Sequence, residues 1–97
     1  MRPALPTFEW DAAKDAANLR KHGVRFVDAQ YAFADRRRLV FRDLAHGQRE
    51  QRYYCIGRMG GGVLTVRFTL REGRIRIIGA GYWRQGRKLY EKTNPLR

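Results

Sequence analysis

Cysteine is almost absent: Cys55 stands alone in 97 residues. One thiol cannot form an internal disulfide, and it excludes every zinc site that needs two or more thiolates. The two histidines, His22 and His46, share no metal-ligand spacing and read first as surface residues. No run approaches the roughly 18 apolar residues of a membrane-spanning helix. The opening residues, Met1-Arg2-Pro3-Ala4-Leu5-Pro6, carry no apolar signal core. The expectation is a cytoplasmic protein with no membrane partner. Acids are also few, nine against 21 basic residues. Glu9, Asp11, Asp15, Asp28, Asp35, Asp43, Glu50, Glu72 and Glu91 are scattered, so no two-metal carboxylate site is expected, nor any cofactor.

What is present is positive charge. The formal net charge is +12, which implies an anionic partner: nucleic acid, an acidic protein or a membrane surface. Lys14, Lys21, Lys88 and Lys92 are the only lysines, so arginine supplies the other 17 cations. Arginine's planar fork suits phosphate, although a GC-rich genome also favours arginine. Apolar residues at 43% and aromatics at 12% suffice for a core. The length fits one domain over residues 1–97, with 1–7 as a disordered lead-in around Pro3 and Pro6.

Phe8-Glu9-Trp10 alternates like a short strand. Asp11 is a good N-cap for a helix over 12–22, and Gly23 supplies its left-handed C-cap. Phe26, Ala29 and Phe33, with Val27 and Tyr31, recur at helical spacing over 26–34. The period then changes to two. Strands are expected over 38–43, 52–58, 63–70 and 74–80, with turns at 45–48, Gly60–Gly62 and 71–73. Short connections make them an antiparallel meander. The glycine run lacks the strand-to-helix context and Lys-Ser/Thr ending of a phosphate loop. A last helix is expected over 83–92. The order β-α-α-β-β-β-β-α is α+β, with helices covering one face of an antiparallel sheet.

Alternation divides the strands into two sets. Leu64, Val66, Phe68 and Leu70, with Ile75, Ile77, Leu39 and Phe41, are expected to face the helices. Arg38, Arg42, Arg67, Arg74 and Arg76, with Thr65 and Thr69, would form a basic opposite face. In the second strand either Tyr53 and Cys55 or Tyr54 and Ile56 point inward; the first avoids burying Arg52 and Arg58 without partners. Such a face is a seat for a phosphate backbone, or simply a solvated surface.

Phe8-Glu9-Trp10-Asp11, Ala17-Asn18-Leu19-Arg20-Lys21-His22-Gly23-Val24, Phe26 with Ala29, and Phe33-Ala34-Asp35 resemble the BrnT family of bacterial type II toxin–antitoxin systems. Ile56-Gly57-Arg58, Leu64 to Thr69 and Arg74-Ile75-Arg76-Ile77-Ile78 fit the same pattern, which spans Phe8 to about Tyr90. The resemblance implies a RelE-like fold and an endoribonuclease that inhibits translation and growth. It also implies neutralisation by a cognate BrnA-like ribbon-helix-helix antitoxin, in a hetero-oligomer that reaches operator DNA through the antitoxin. The family pattern carries an arginine where this chain has Gly81, so Arg84 or Arg87 would supply that guanidinium.

Metal-independent RNA cleavage needs a base for the 2′-hydroxyl, an acid for the leaving oxygen and cations for the phosphorane. Arg58 and Arg76 are candidates to clamp the scissile phosphate, and Arg52, Arg67 and Arg74 to hold its neighbours. His22 is the candidate acid or base by intrinsic pKa. Tyr90 approaches from the last helix, either to react or to pack. Tyr82 and Trp83 either stack a base or join the core, and Glu50 is a further base or a solvated acid. Two other readings remain: a non-catalytic RNA- or DNA-binding module, and a protein whose charge serves only an acidic antitoxin.

Overall fold

The computed structural model describes residues 6–46 and 49–95. The lead-in expected over 1–7 lies mostly outside them, but Thr7 already belongs to the fold, its carbonyl accepting from the Ile75 N–H at 2.9 Å. The turn expected at 45–48 lies partly outside.

Helix α1 spans Ala12–His22 with the caps its ends encode. The Asp11 carboxylate accepts from the Ala13 and Lys14 N–H groups at 2.8 and 3.0 Å. Gly23, at φ +70°, closes the other end. The helix expected over 26–34 divides: α2 covers Phe26–Ala29, and Gln30–Ala34 tightens into a 3-10 helix. Arg25 caps nothing, and the carboxylate of Asp15, one helix earlier, accepts from the Phe26 N–H at 2.8 Å.

Strands β1 (Phe8–Trp10), β2 (Leu39–Asp43), β3 (Arg52–Met59), β4 (Gly62–Arg71) and β5 (Arg74–Gly81) form one sheet in the order β1-β5-β4-β3-β2. The last four are an antiparallel meander. The sheet is mixed rather than antiparallel throughout, because β1 runs parallel to β5. That pairing sets Glu9 beside Arg76 and sends Phe8 and Trp10 into the core, against Phe33 and Phe26. A register shift at Arg67/Phe68 leaves Ile78 unpaired, so Ile77 and Ala80 both reach the core despite an odd spacing.

The main core lies between the sheet and α1, α2 and the 3-10 helix. It contains Phe26, Ala29, Ala32, Cys55, Leu64, Val66, Phe68 and Ile77. Cys55 is therefore inward, and burial pushes its thiol up to about 12, which removes it as a nucleophile near neutral pH. Leu70, expected inward, is exposed at the end of its strand.

Helix α3, Arg84–Thr93, corrects the expectation that all helices share one face. It packs on the opposite face, where Tyr90 joins Ile56, Val63 and Leu39 in a second apolar cluster. A Cβ on Gly86 would sit 2.0 Å from the Thr65 hydroxyl, so only glycine lets α3 come this close. Register puts Leu39 and Phe41 on this face too, opposite Ile56 and Tyr54, and sends Arg42 to the other side; Arg38 precedes the strand. The expected grouping of Arg42 with Arg67 is thus overturned by strand pairing.

Two residues in the family-like segments hold the layers together. The buried Asn18 amide donates to the carbonyls of Val24 and Ala80, both at 2.9 Å, and accepts from the Ala80 N–H at 3.1 Å. Asn18→Ala is expected to cost about 3 kcal/mol, since it strands buried backbone groups; urea unfolding measures it. A Cβ on Gly57 would meet the Ala32 carbonyl oxygen at 2.3 Å, and backbone cannot swing aside. Gly57→Ala is expected to cost about 2 kcal/mol through overpacking, visible as a lowered urea midpoint.

Candidate active site

On the α3 face, cross-strand pairing stacks the side chains in rows. The first row runs Arg52, Thr69, Arg76, Glu9. The next runs Phe41, Tyr54, Arg67, Gly79, and the one after it Leu39, Ile56, Thr65, Gly81. The last holds Arg58 and Val63. Arg52 and Arg58 are six residues apart on β3, so the first and last rows are separated by roughly 20 Å at ~3.3 Å per residue.

The first row and the turn beyond it are rich in ion pairs. Arg76 donates to Glu9 at 2.8 Å, and Arg74 is bound to both Glu9 and Glu72. Arg71 donates to Glu50 at 2.7 Å. The hydrogen bonds from Arg76 and Arg74 hold the Glu9 carboxyl below the usual range. Glu50, considered as a base, is likewise lowered by Arg71. The opposite face of the sheet is therefore not uniformly basic: α3 covers one end, and carboxylates neutralise much of the other.

The Arg58 end differs. Among the described residues, no carboxylate lies within ion-pair distance of the exposed Arg58 guanidinium. It sits 5.6 Å from the centroid of the Tyr90 ring. Asp35 organises both partners. One carboxylate oxygen accepts from the Tyr90 hydroxyl at 2.6 Å and from the Arg58 backbone N–H at 2.7 Å. The other accepts from the Arg37 N–H at 2.9 Å. Burial pushes the Asp35 carboxyl up, but the hydrogen bonds from Tyr90, Arg58 and Arg37 outweigh it and the net shift is downward. Burial first, and then Asp35, raise the Tyr90 phenol. A shallow depression of about 520 Å³ opens beside Arg58, with Asp35 and Tyr31 on its wall.

The structure thus brings Arg58 and Tyr90 together and sets Arg52, Arg74 and Arg76 at the far end. Arg58 and Arg76 cannot grip one phosphate across that distance. Tyr90 is 3% exposed, which suits holding Arg58 better than touching substrate. His22 is exposed at the end of α1, its ring edge-on to Trp83 at 5.3 Å. β3 and β5 run in the same direction, so Trp83 and His22 share the Arg58 end of the sheet, two strands away. His46 instead pairs with Asp43 at 3.1 Å. Arg84 and Arg87 are exposed on α3. A side chain at position 81 would run into the Trp83 indole, 2.6 Å from a Cβ there. Arg67 lies over Gly79 in the middle of the face.

Two participants escape sequence reasoning. Asp35 reads as the end of a helical pattern and as part of the family-like Phe33-Ala34-Asp35 segment, with no role attached; its signal is a lone acid immediately before Arg36-Arg37-Arg38. Tyr31, read as part of a helix face, is 64% exposed beside Arg58. Among the described residues no group of three or more His, Cys, Asp or Glu converges as a metal site, and no helix is long and apolar enough to cross a membrane.

The protein is a small α+β domain with a mixed five-stranded sheet, and it carries an exposed arginine that, among the described residues, meets no carboxylate and is clustered with aromatic residues. The particular family follows from comparison. The model of the family described as ribonuclease toxin, BrnT, of type II toxin–antitoxin system matches residues 10–86, and the chain belongs to that family. The matched segment includes Asp35 and Arg58 and ends in the first turn of α3, before Tyr90. No curated protein matches the chain.

Proposed function

We propose that this protein is a metal-independent endoribonuclease whose scissile phosphate sits on Arg58. The supporting observation is the geometry of that guanidinium: exposed, free of any described carboxylate, and steadied by Tyr90 and Asp35. A positioned cation stabilises the charge that builds on phosphorus when a 2′-hydroxyl attacks in line. This route needs no metal and yields a 2′,3′-cyclic phosphate and a 5′-hydroxyl. His22 serves as the acid or base, being the histidine that shares the Arg58 end. Tyr90 is a positioning residue. Arg84 on α3 holds a flanking phosphate, whereas Arg52, Arg74 and Arg76 meet RNA only at a distant point of the strand.

The same charge suits a cognate antitoxin of the BrnA-like ribbon-helix-helix kind, which would neutralise the toxin by covering the Arg58 end. Operator DNA would be reached through that partner, and the activity belongs in the cytoplasm. The test is incubation of purified protein with total RNA in excess EDTA, with and without ribosomes, beside Arg58→Ala and His22→Ala. Cleavage by the wild type alone supports the reading. RNA binding without cleavage in either condition sinks it in favour of a binding module.

A further inference from the structure

A second concavity lies between α3 and the sheet, separate from the Arg58 depression. It measures about 500 Å³, within the range of small-ligand sites. Its walls include Phe41, Tyr54, Trp83 and Gln85. The Phe41 and Tyr54 rings lie side by side at 5.3 Å, tilted by 34°. Thr65 and Arg67 also line it.

Those two carry the only buried side-chain polar atoms without a hydrogen-bond partner among the described residues: Thr65 Oγ1 and Arg67 Nε. Thr65 is 5% exposed. Orphaned polar atoms are rare in folded proteins because each costs its desolvation without return. That both line one aromatic-walled cavity marks it as a site completed by something else.

We infer that this cavity receives one unpaired nucleobase of the RNA substrate, and that it prefers guanine; the inference rests on RNA being the ligand. Aromatic walls stack any base. Arginine's fork presents parallel donors, and on the Hoogsteen edge guanine alone offers two adjacent acceptors, O6 and N7. Adenine would turn an amino donor toward the guanidinium. Uracil brings a single acceptor on that edge. Cytosine offers N3 and O2 on its Watson–Crick edge but brings a smaller ring to stack on the aromatic walls. An acidic side chain of a partner protein would also meet Arg67, but it would leave the aromatic slot largely unfilled. Gly79 keeps the donor in place: a Cβ there would press on Arg67 Nη2 at 3.1 Å, so glycine lets the guanidinium lie flat on β5.

The experiment titrates the intact chain with guanosine, adenosine, cytidine and uridine 5′-monophosphates, following the Trp83 indole by NMR. Guanosine monophosphate is expected to bind at least about tenfold tighter than the others and to shift Trp83. Arg67→Lys keeps the charge but loses the fork, and is expected to abolish that preference. Thr65→Val, which loses no hydrogen bond, is expected to raise the melting temperature and weaken guanosine monophosphate binding. Equal binding of all four nucleotides, a preference that survives in Arg67→Lys, or a Trp83 shift seen only with an acidic peptide would each overturn the inference. The nuclease reading fails separately: guanine binding without RNA cleavage removes that reading and leaves the pocket.

Discussion

Arg58→Ala is expected to lower RNA cleavage by at least about a hundredfold, the scale seen when one positioned donor to a developing anion is removed. The fold should survive. The Arg58 guanidinium is exposed and makes no described ion pair, and Asp35 is held by the Arg58 backbone N–H, which alanine retains. What is lost structurally is the contact with the Tyr90 ring, worth about 0.5–1 kcal/mol. The measurement is cleavage rate in EDTA beside a circular-dichroism melt. A variant that melts like the wild type and cuts within fivefold of its rate would remove Arg58 from the chemistry. By contrast, Arg76→Ala is expected to retain most activity, since Arg76 is engaged with Glu9 at the distant end.

Asp35→Ala is expected to be the most destabilising single change at the site, by about 2–4 kcal/mol. It removes the shared acceptor of three donors: the part-buried Tyr90 hydroxyl and the more exposed backbone N–H groups of Arg58 and Arg37. The substitution also unties α3 from the segment before β2, so the seat of Arg58 should loosen and cleavage should fall with stability. A pH dependence follows. The folded carboxyl titrates below its ordinary value of 3.8. Its contribution is therefore fully present above the unfolded pKa and is lost as pH falls through the lower, folded one. The stability gap between wild type and Asp35→Ala should be wide at pH 7 and should narrow below about pH 4. Urea unfolding at both values checks it; a gap independent of pH would show that the carboxylate charge contributes nothing.

Much of the fold was legible because its signals are local. Asp11 and Gly23 mark both ends of α1 within a residue of where they fall. Strict alternation locates β3, β4 and β5, and the wish not to bury Arg52 and Arg58 turns Cys55 inward. Arg58 was legible as a candidate for the same reason: a solvent-facing cation at the end of a strand.

The remainder depended on contacts between distant segments. Glu9 reads as one scattered acid until β1 pairs with β5 and places it between two arginines. Asp35 is ordinary in sequence; it becomes a hub only when β3 and α3 bring an N–H and a phenol to it from 23 and 55 residues away. The unpaired Ile78 shifts the phase of β5 by one, which no alternation count over a single strand reveals. The amphipathic pattern of α3 says that the helix has an apolar side but not which layer receives it. Both faces of the sheet offer apolar rows, Cys55 with Leu64 and Val66 on one, Leu39 with Ile56 and Val63 on the other. The sequence by itself determined the elements, the charge and the exposed arginine. Only the tertiary structure decided which arginines are neutralised and where an aromatic cavity is left open, because both depend on which side of the sheet α3 lies.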